Sequence, residues 1–551
     1  MKKLLLTVFV FVMVAVNAIA QERVITGTVT SAEDKKPIPG VSVKVRGTQT
    51  GVSTTADGKF TLRVGANAAL EFRSIGFVSQ IKSVGTASVI NVALITDSEA
   101  LNEVVVTGYG VQKKRDVIGA ISSVNVSKIQ NRPIVSVDQA LQGRAAGVLV
   151  QSNNGIPGGG INVRIRGVGS IQAGNQPLYV VDGVQLNTRD DASFTQSNPL
   201  AFLNSSDIQS IEVLKDAATA AIYGAQGANG VVLVTTKKGK AGDTKFSFGS
   251  FYGSSALLKK LDVLNTQDYI TVRSEALENR FRDGLALNRT FTVNNELRIP
   301  NGATLTEAQI AALPTYDWQD EVTQNGNIQN YELGISGGNE KTTFYIGTSY
   351  NVNEAVFKKV DFRRGTFKAD IQNKATDKLT LNASLNLSTF NQAAPFSTDG
   401  SFLGNPAFSA SLMLPSNQVL NPDGSYFGLP GSGQAFPGIL NQNIVAVNDF
   451  NSADQRTNQV VGNVSATYAI FKNLIFKSYY ALDYRLTQGK SYRDPRTNDG
   501  FARRGLGQVQ SGWNTNFLTT QTLNYSESFN GHTFNVLGGF EYKTENQQNI
   551  S

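Results

Sequence analysis

Acidic side chains in one stretch of the chain are the first candidates for chemistry. Asp182, Glu212 and Asp216 lie close in sequence, and two positioned carboxylates would suit glycoside hydrolysis. However, Asp182 precedes Gly183 in a tight-turn dipeptide, and Asp216 stands before an alanine-rich run whose helix it can cap. These structural roles account for both aspartates, and no catalytic pair stands out. We predict that the chain is not an enzyme.

Other chemistries lack their residues. The chain has no Cys, which excludes disulfides, Cys-ligated zinc and thiol catalysis. Its one histidine, His532, is expected on a strand or turn without a special role. No G-x-x-x-x-G-K-S/T run occurs, and no G-x-G-x-x-G opens a helix after a strand. We therefore predict no catalytic residues, no metal site and no cofactor. The net charge of +7 includes no basic block, so no nucleic-acid partner is expected.

The start of the chain predicts export. Lys2 and Lys3 precede an apolar run from Leu4 to Val16, and Ala18-Ile19-Ala20 has the small residues that a signal peptidase reads. We predict a signal peptide over residues 1–20. The alternative is a membrane anchor, for which the run is short.

Residues 21–97 predict a small all-β sandwich. Val24–Thr30 and Val41–Arg46 have the alternation of half-buried strands, and Asp57-Gly58 predicts a hairpin between Gly51–Thr55 and Lys59–Val64. The segments Gly27-Thr-Val, Pro39-Gly-Val-Ser-Val and Thr55–Phe60 resemble the carboxypeptidase-regulatory-like domain. This resemblance implies a docking or stabilising module.

Residues 98–114 form a linker around a short run of β-branched residues. The run is flanked by charge and closed by glycine, and it is either one more buried strand or a free strand that adds to a partner's sheet edge. From the residues alone both readings remain open. The run comprises Glu103, Val104, Val105, Val106, Thr107 and Gly108.

Residues 115–240 carry the most specific motifs. They are Gly159–Gly167, Pro177–Val184 and the stretch from Ile208 to Gly239. In this order, behind a regulatory-like domain, they resemble the plug domain of TonB-dependent outer-membrane receptors of the SusC/RagA type. The resemblance implies that Glu103–Gly108 is the TonB box, the segment that binds TonB. It also implies a SusD-like surface lipoprotein as a partner and uptake of a glycan or peptide ligand, whose contact residues are not readable.

Residues 241–551 change to a strict period of two. Leu379, Leu381, Ala383, Leu385 and Leu387 alternate with polar residues, as do Phe367, Ala369 and Ile371. Short turns alternate with long loops, which is typical of outer-membrane barrels with periplasmic turns and external loops. The predicted strands, about nine in number, are 244–252, 328–337, 341–352, 363–373, 377–390, 457–471, 473–486, 514–526 and 531–544.

The predicted fold class is therefore mainly β. It combines an N-terminal β-sandwich, a mixed α/β plug domain and the first part of a transmembrane antiparallel β-barrel. Enclosing such a plug takes a barrel of about 22 strands, so we expect a C-terminally truncated chain. The leading hypothesis is a TonB-linked importer in the outer membrane, in contact with its lipids, with plug and N-terminal domain on the periplasmic side. The alternatives are a signal-transducing outer-membrane receptor and a secreted β-rich binding protein.

Overall fold

The structure is a computed structural model, and the chain divides into two compact units, Met1–Val117 and Ile118–Ser551. The predicted signal peptide lies outside the described residues, as do Glu103 and Gly108. The described residues are 23–32, 34–48, 50–65, 68–74, 77–95, 104–107, 110–113, 121–124, 136–171, 174–187, 198–283, 306–394, 405–434, 442–530 and 532–550.

The N-terminal unit contains the predicted sandwich. One sheet has the order β4-β1-β7 and the other has the order β3-β2-β5-β6. Side chains that alternate along each strand fill the space between the sheets, with Ile25, Leu70 and Phe72 fully buried. The strands are β1 (Arg23–Ser31), β2 (Ser42–Val45), β3 (Gly51–Ser53), β4 (Lys59–Val64), β5 (Ala69–Arg73), β6 (Gln80–Ser83) and β7 (Val92–Leu94).

The turn at Asp57-Gly58 does not form the predicted hairpin. β3 pairs with β2, whereas β4 pairs with β1 in the opposite sheet. The chain therefore crosses between the sheets at this turn. Thr54 fixes the crossing, because its buried hydroxyl donates to the Ile38 carbonyl (2.8 Å) and accepts from the Val41 N–H (2.9 Å).

The β-branched run forms a strand of its own. β8 (Val104–Thr107) pairs antiparallel with β9 (Gly110–Lys113), and these two strands make a separate two-stranded sheet. Among the described residues, the run therefore does not join either sheet of the sandwich. Its partner is the segment that follows it.

The second unit begins with the mixed α/β plug. A five-stranded sheet has the order β10-β15-β16-β13-β14, and β11 pairs with β12 beside it. Its core holds the fully buried Val163, Val181, Ile211 and Val232. The strands are β10 (Ile121–Val124), β11 (Val148–Ser152), β12 (Ile161–Ile165), β13 (Leu178–Val181), β14 (Val184–Gln185), β15 (Ile208–Leu214) and β16 (Val231–Thr236), with helix α1 at Ala217–Ala220 and 3-10 turns at Asp138–Leu141, Ser205–Asp207 and Ala221–Gly227.

The predicted hairpin at Asp182-Gly183 is confirmed, whereas the prediction that Asp216 caps a helix is wrong. Asp182 (φ 50°) and Gly183 (φ 91°) both adopt the left-handed backbone that a tight two-residue hairpin needs. Asp216 is at the N-cap position of α1 but makes no side-chain cap bond. Its carboxylate instead pairs with Arg166, which draws it away from the helix end.

Nine antiparallel strands follow in one sheet, in sequence order, and confirm the predicted count. We call this sheet the wall. The strands are longer than predicted, mainly at the ends next to the long connections. They are β17 (Gly242–Ser255), β18 (Gly326–Gly338), β19 (Thr342–Glu354), β20 (Asp361–Lys374), β21 (Leu379–Ala394), β22 (Ser452–Phe471), β23 (Leu474–Arg493), β24 (Leu506–Phe529) and β25 (His532–Ile550).

The exposure of the apolar and polar faces of the wall is the reverse of that in a soluble protein. On β20 and β21 the apolar set faces outward, with Ile371 47% and Leu381 42% exposed. The polar set faces the plug, with Lys368 1% and Gln392 2% exposed. Outward aromatic residues lie near both ends of the apolar band: Tyr331 and Tyr350 are paired near the loop ends, and Tyr468 and Phe476 near the turn ends. This pattern is that of a transmembrane β-sheet with lipid outside.

The long connections contain helices that alternation along strands could not predict. None of the helices in the described part of the chain is long and apolar enough to cross a membrane. The helices are α2 (Thr266–Arg282), α3 (Glu307–Ala311), α4 (Trp318–Val322), α5 (Pro406–Leu412), α6 (Ile444–Phe450) and α7 (Asn498–Phe501).

Candidate functional site

The predicted TonB-binding run is placed by backbone pairing alone. Val104, Val105, Val106 and Thr107 lie opposite Lys113, Gln112, Val111 and Gly110, respectively. The two residues between the strands are Gly108 and Tyr109, and glycine at the first position favours a two-residue hairpin turn. The run is thus strand-forming, as predicted, and it is joined to its own neighbour.

The plug is seated against the wall through a buried cation at Lys368 on β20. Its Nζ lies 3.6 Å from Asp182 Oδ2, and the two side chains are 1% and 5% exposed. Lys368 also donates to the hydroxyls of Thr236 and Ser384. Thr236 in turn donates its main-chain N–H (2.9 Å) and its hydroxyl to the Asp182 carboxylate. We call Lys368, Asp182 and Thr236 the latch.

The same plug hairpin is held from a second wall strand. Tyr479 on β23 donates its hydroxyl to the Asp182 carbonyl (3.1 Å). A Cβ at Gly183 would lie 2.9 Å from the Tyr479 hydroxyl oxygen, so only glycine fits this turn without displacing the ring. The turn residues therefore serve the contact between plug and wall, and this contact explains their types.

A second set of polar contacts joins the wall to the plug loop before β15. Buried Arg364 on β20 donates to the carbonyls of Ala201 and Leu203, both at 2.8 Å. Tyr345 on β19 donates its hydroxyl to Asp207 Oδ1 at 2.6 Å. Burial raises the pKa of Asp207 above its usual value, and the hydrogen bond from Tyr345 opposes the shift. Both cationic side chains that contact the plug, Arg364 and Lys368, thus come from β20.

One buried carboxyl lies within the plug itself. Asp138 is 1% exposed. Burial raises its pKa to about 6, while the nearby polar groups of Asn198 and Tyr179 act in the opposite direction. Nearby Ser136 accepts a hydrogen bond from Asn198 (3.0 Å). The plug therefore contains a buried acid whose pKa lies above its usual range.

The long connections pack into one cluster at the loop end of the wall. Trp318 of α4 donates its ring N–H to the Asn417 carbonyl at 3.1 Å. Arg496, from a further connection, lies 3.7 Å above the Phe450 ring and pairs with Asp494 at 2.8 Å. The hydrogen bond from Arg496 lowers the pKa of Asp494 below its usual value. The cluster core comprises Trp318, Val322, Ala410, Met413, Val419, Ile444 and Val447.

The three carboxylates considered for chemistry serve structural roles instead. Asp182 belongs to the latch, Asp216 pairs with Arg166, and Glu212 is buried within β15 of the plug sheet. Among the described residues, no group of three or more His, Cys, Asp or Glu side chains could hold a metal ion. His532 is an exposed residue at the start of β25, as expected.

Sequence reasoning missed Arg364 and Lys368 as functional residues. Their signal was a pair of cations at inward positions of a wall strand, where uncharged polar residues would suffice. Their partners lie far away in sequence, so the pairing itself could not be read from the alternation.

Two family descriptions match the chain. "TonB-dependent Receptor Plug Domain" matches residues 113–231, and "CarboxypepD_reg-like domain" matches residues 25–106. The second match ends within the β-branched run. A plug domain that follows a regulatory-like domain and precedes an inverted antiparallel sheet defines a TonB-dependent receptor.

Relatives narrow this class. A TonB-dependent receptor of Formosa agariphila is 33% identical over 534 residues, which cover 96% of this chain and 49% of that protein. The TonB-dependent receptor SusC of Bacteroides thetaiotaomicron is 27% identical over 571 residues, covering 98% of this chain and 52% of that protein. The solved structure of the RagAB peptide importer in its open-open state matches with a TM-score of 0.64 at 25% identity, covering 81% of this chain and 50% of that one.

These matches support a TonB-dependent receptor of the SusC/RagA type, and the matched proteins are named as TonB-dependent receptors and a peptide importer. The family and the inverted faces of the wall place the sheet in the outer membrane. The chain spans about half the length of the relatives that it matches.

Proposed function

We propose that the chain forms the energy-coupled part of an outer-membrane importer for oligomeric nutrients. The segment Glu103–Gly108 binds TonB in the periplasm, and the force that TonB transmits shifts the plug within its seat on the wall. The N-terminal domain and the short turns of the wall face the periplasm, and the long loops face outward.

The seating of the plug is the observation that carries this proposal. Several of its contacts with the wall are polar: the latch, the Arg364 bonds to the plug loop, and the bond from Tyr345 to Asp207. Such contacts can be replaced by water when the plug moves, whereas an apolar core could not be wetted without a large loss of stability. Apolar contacts lie beside the polar ones, since Phe362, Phe390 and Val461 of the wall belong to the same buried cluster as the plug core. The polar contacts are therefore the part of the contact between plug and wall that water can replace when the plug moves.

Similarity to the family supports our proposal for the ligand and for the second partner. The RagAB structure is that of a peptide importer, and SusC-type relatives support an oligomeric ligand, either glycan or peptide. We propose that a SusD-like lipoprotein covers the loop end of the wall. Among the described residues, the cluster around Trp318 packs parts of two long connections together at that end.

Growth on defined nutrients tests the proposal. We expect deletion of Val104–Thr107 from the gene's full product to abolish growth on one class of oligosaccharide or peptide as strongly as deletion of the gene. A matched deletion of four linker residues outside the run, Ser98–Leu101, separates loss of the run from a shorter linker. Unchanged uptake after deletion of the run would refute the proposal, and loss of gene induction with uptake preserved would favour a signalling receptor.

A further inference from the structure

The hairpin of β8 and β9 gives the predicted TonB-binding run a defined open edge. We propose that TonB adds its strand to the outer edge of β8 while the hairpin stays closed, and that it pairs with the main-chain groups of Val104 and Val106. This inference rests on the proposed function of the run. It adds which edge is used and the role of Gly110–Lys113, which becomes the strand that presents the site.

The register fixes which main-chain groups are free. In an antiparallel pair, residues alternate between hydrogen-bonded and non-hydrogen-bonded pairs. Thr107 pairs with Gly110 across only two intervening residues, so these two form a hydrogen-bonded pair, and the next such pair is Val105 with Gln112. The N–H and C=O groups of Val104 and Val106 consequently point away from β9. Within the described part of the chain, β8 pairs with β9 alone.

The hairpin lowers the entropic penalty of adding a partner strand. A free linker must lose backbone freedom at every residue when it joins a sheet. In the hairpin, β8 is already extended before TonB arrives. Because an isolated two-stranded hairpin is only marginally stable and a third strand stabilises it, binding and hairpin formation reinforce each other. A strand at the β8 edge gives such a three-stranded sheet.

The alternative is that the hairpin competes with TonB. If TonB needed the groups of Val105 and Thr107, which pair with β9 in this structure, the hairpin would have to open first. Gly110–Lys113 would then inhibit binding. The two cases predict opposite effects of stabilising the hairpin, and the chain allows this to be measured.

Disulfide staples provide the first test, because the native chain has no Cys. The non-hydrogen-bonded pairs Val106–Val111 and Val104–Lys113 suit a staple, since their expected Cα separation of about 4.5 Å lies within the range of disulfides. The full chain carrying each pair as Cys is folded in detergent, oxidised or reduced, and titrated with the purified periplasmic domain of TonB. Each oxidised form is compared with its own reduced form.

We expect each oxidised form to bind at most about threefold more weakly than its reduced form, or more tightly, because the closed hairpin is already the binding form. A larger loss on oxidation in either staple would overturn the proposal. The wild-type chain, which lacks Cys, controls for the oxidant. If the wild-type chain itself does not bind TonB, the proposed function fails, and this result is distinct from a difference between redox states.

Proline substitutions in β9 test the same point without altering the TonB-binding run. Gln112→Pro removes an N–H that faces Val105, whereas Val111→Pro removes one that points out of the hairpin. We expect Gln112→Pro to weaken TonB binding about tenfold more than Val111→Pro does, because it opens the hairpin. Equal binding by the two variants, or tighter binding by Gln112→Pro, would show that the hairpin does not present the site.

Discussion

At the scale of single residues, the seat of the plug depends on a few buried charges on one wall strand. Lys368 and Arg364 project from β20, and each contacts a different part of the plug. A buried charge pair adds little net stability relative to apolar packing, but removing one partner is strongly destabilising because the other charge stays buried. The latch therefore makes the closed position specific.

Neutralising the latch cation should loosen the plug. We expect Lys368→Met to destabilise the closed plug by about 3–5 kcal/mol, since the Asp182 carboxylate would remain buried without its cation. Faster hydrogen exchange at the Thr236 amide, which donates to Asp182 at 2.9 Å, would report the change.

Two further variants control this prediction. Lys378→Met, on the exposed turn before β21, should leave Thr236 exchange unchanged. Adding Asp182→Asn to Lys368→Met should restore much of the protection, because asparagine tolerates the left-handed backbone of Asp182 and leaves no charge unpaired. If the two substitutions acted independently, the ion pair would not hold the plug.

The buried acid Asp138 predicts a pH dependence. Its pKa is raised from about 3.8 to about 6 in the folded plug, so the folded state binds a proton more tightly than the unfolded state. The associated stability is complete below about pH 4 and is lost as the pH rises through 6, which amounts to about 3 kcal/mol by pH 7.5.

Asp138→Asn should remove this dependence, because the amide stays neutral. We expect the variant to stabilise the plug by about 1–3 kcal/mol at pH 7.5 and to have little effect at pH 4.5. Hydrogen exchange of the plug amides at both pH values measures this change in the free energy of unfolding. Asp243→Asn, at an exposed position, is the control. An equal effect at both pH values would show that the charge of Asp138 is not responsible.

At the scale of elements, the wall strands are defined by two faces of opposite exposure. An arginine on the lipid face should be costly near the middle of the strand and tolerated near its end. We expect Leu385→Arg to destabilise the wall by about 2–4 kcal/mol, and Thr389→Arg, on the same face nearer the loop end, by at most about 1 kcal/mol.

Denaturant unfolding of chain that is folded into lipid vesicles measures the difference between the two variants. Both residues are exposed on β21, so packing against the plug does not confuse the comparison. Equal effects at both positions would argue against a membrane around this sheet.

The strands also show what the sequence could predict. The short turns were placed correctly because apolar and polar residues alternate up to them, as at Gly338 and Phe471. The strand ends next to the long loops were not predicted correctly. For example, β22 begins at Ser452 and not at residue 457. At that end Asp454 and Arg456 face outward while Gln455 and Thr457 face inward. Above the lipid both faces are polar, so no contrast in hydropathy marks the strand.

Contacts between plug and wall were beyond prediction for a different reason. Asp182 and Lys368 meet only because the plug sits against one part of the wall, and a single sequence contains no information on that placement. The turn at Asp182-Gly183 was predicted because its signal is local. The helices of the loop cluster were not predicted, because they are short and their few apolar residues pack only against residues of other loops.

At the scale of the whole molecule, the chain combines a regulatory-like β-sandwich, the short β-branched run, a plug and a wall. The central claim is that Val104–Thr107 connects this assembly to TonB. The strand pairing and the family support the claim. It remains a prediction, and measuring the contact between the run and TonB in cells tests it.

The most direct measurement is cysteine cross-linking in living cells. The gene's full product carries Val105→Cys, and TonB carries single cysteines along the edge strand of its periplasmic domain. We predict a disulfide-linked adduct with TonB that increases when the nutrient is present, and no adduct for Ser83→Cys on β6. Correct insertion in the outer membrane with no adduct at Val105, at any TonB position, would contradict the account.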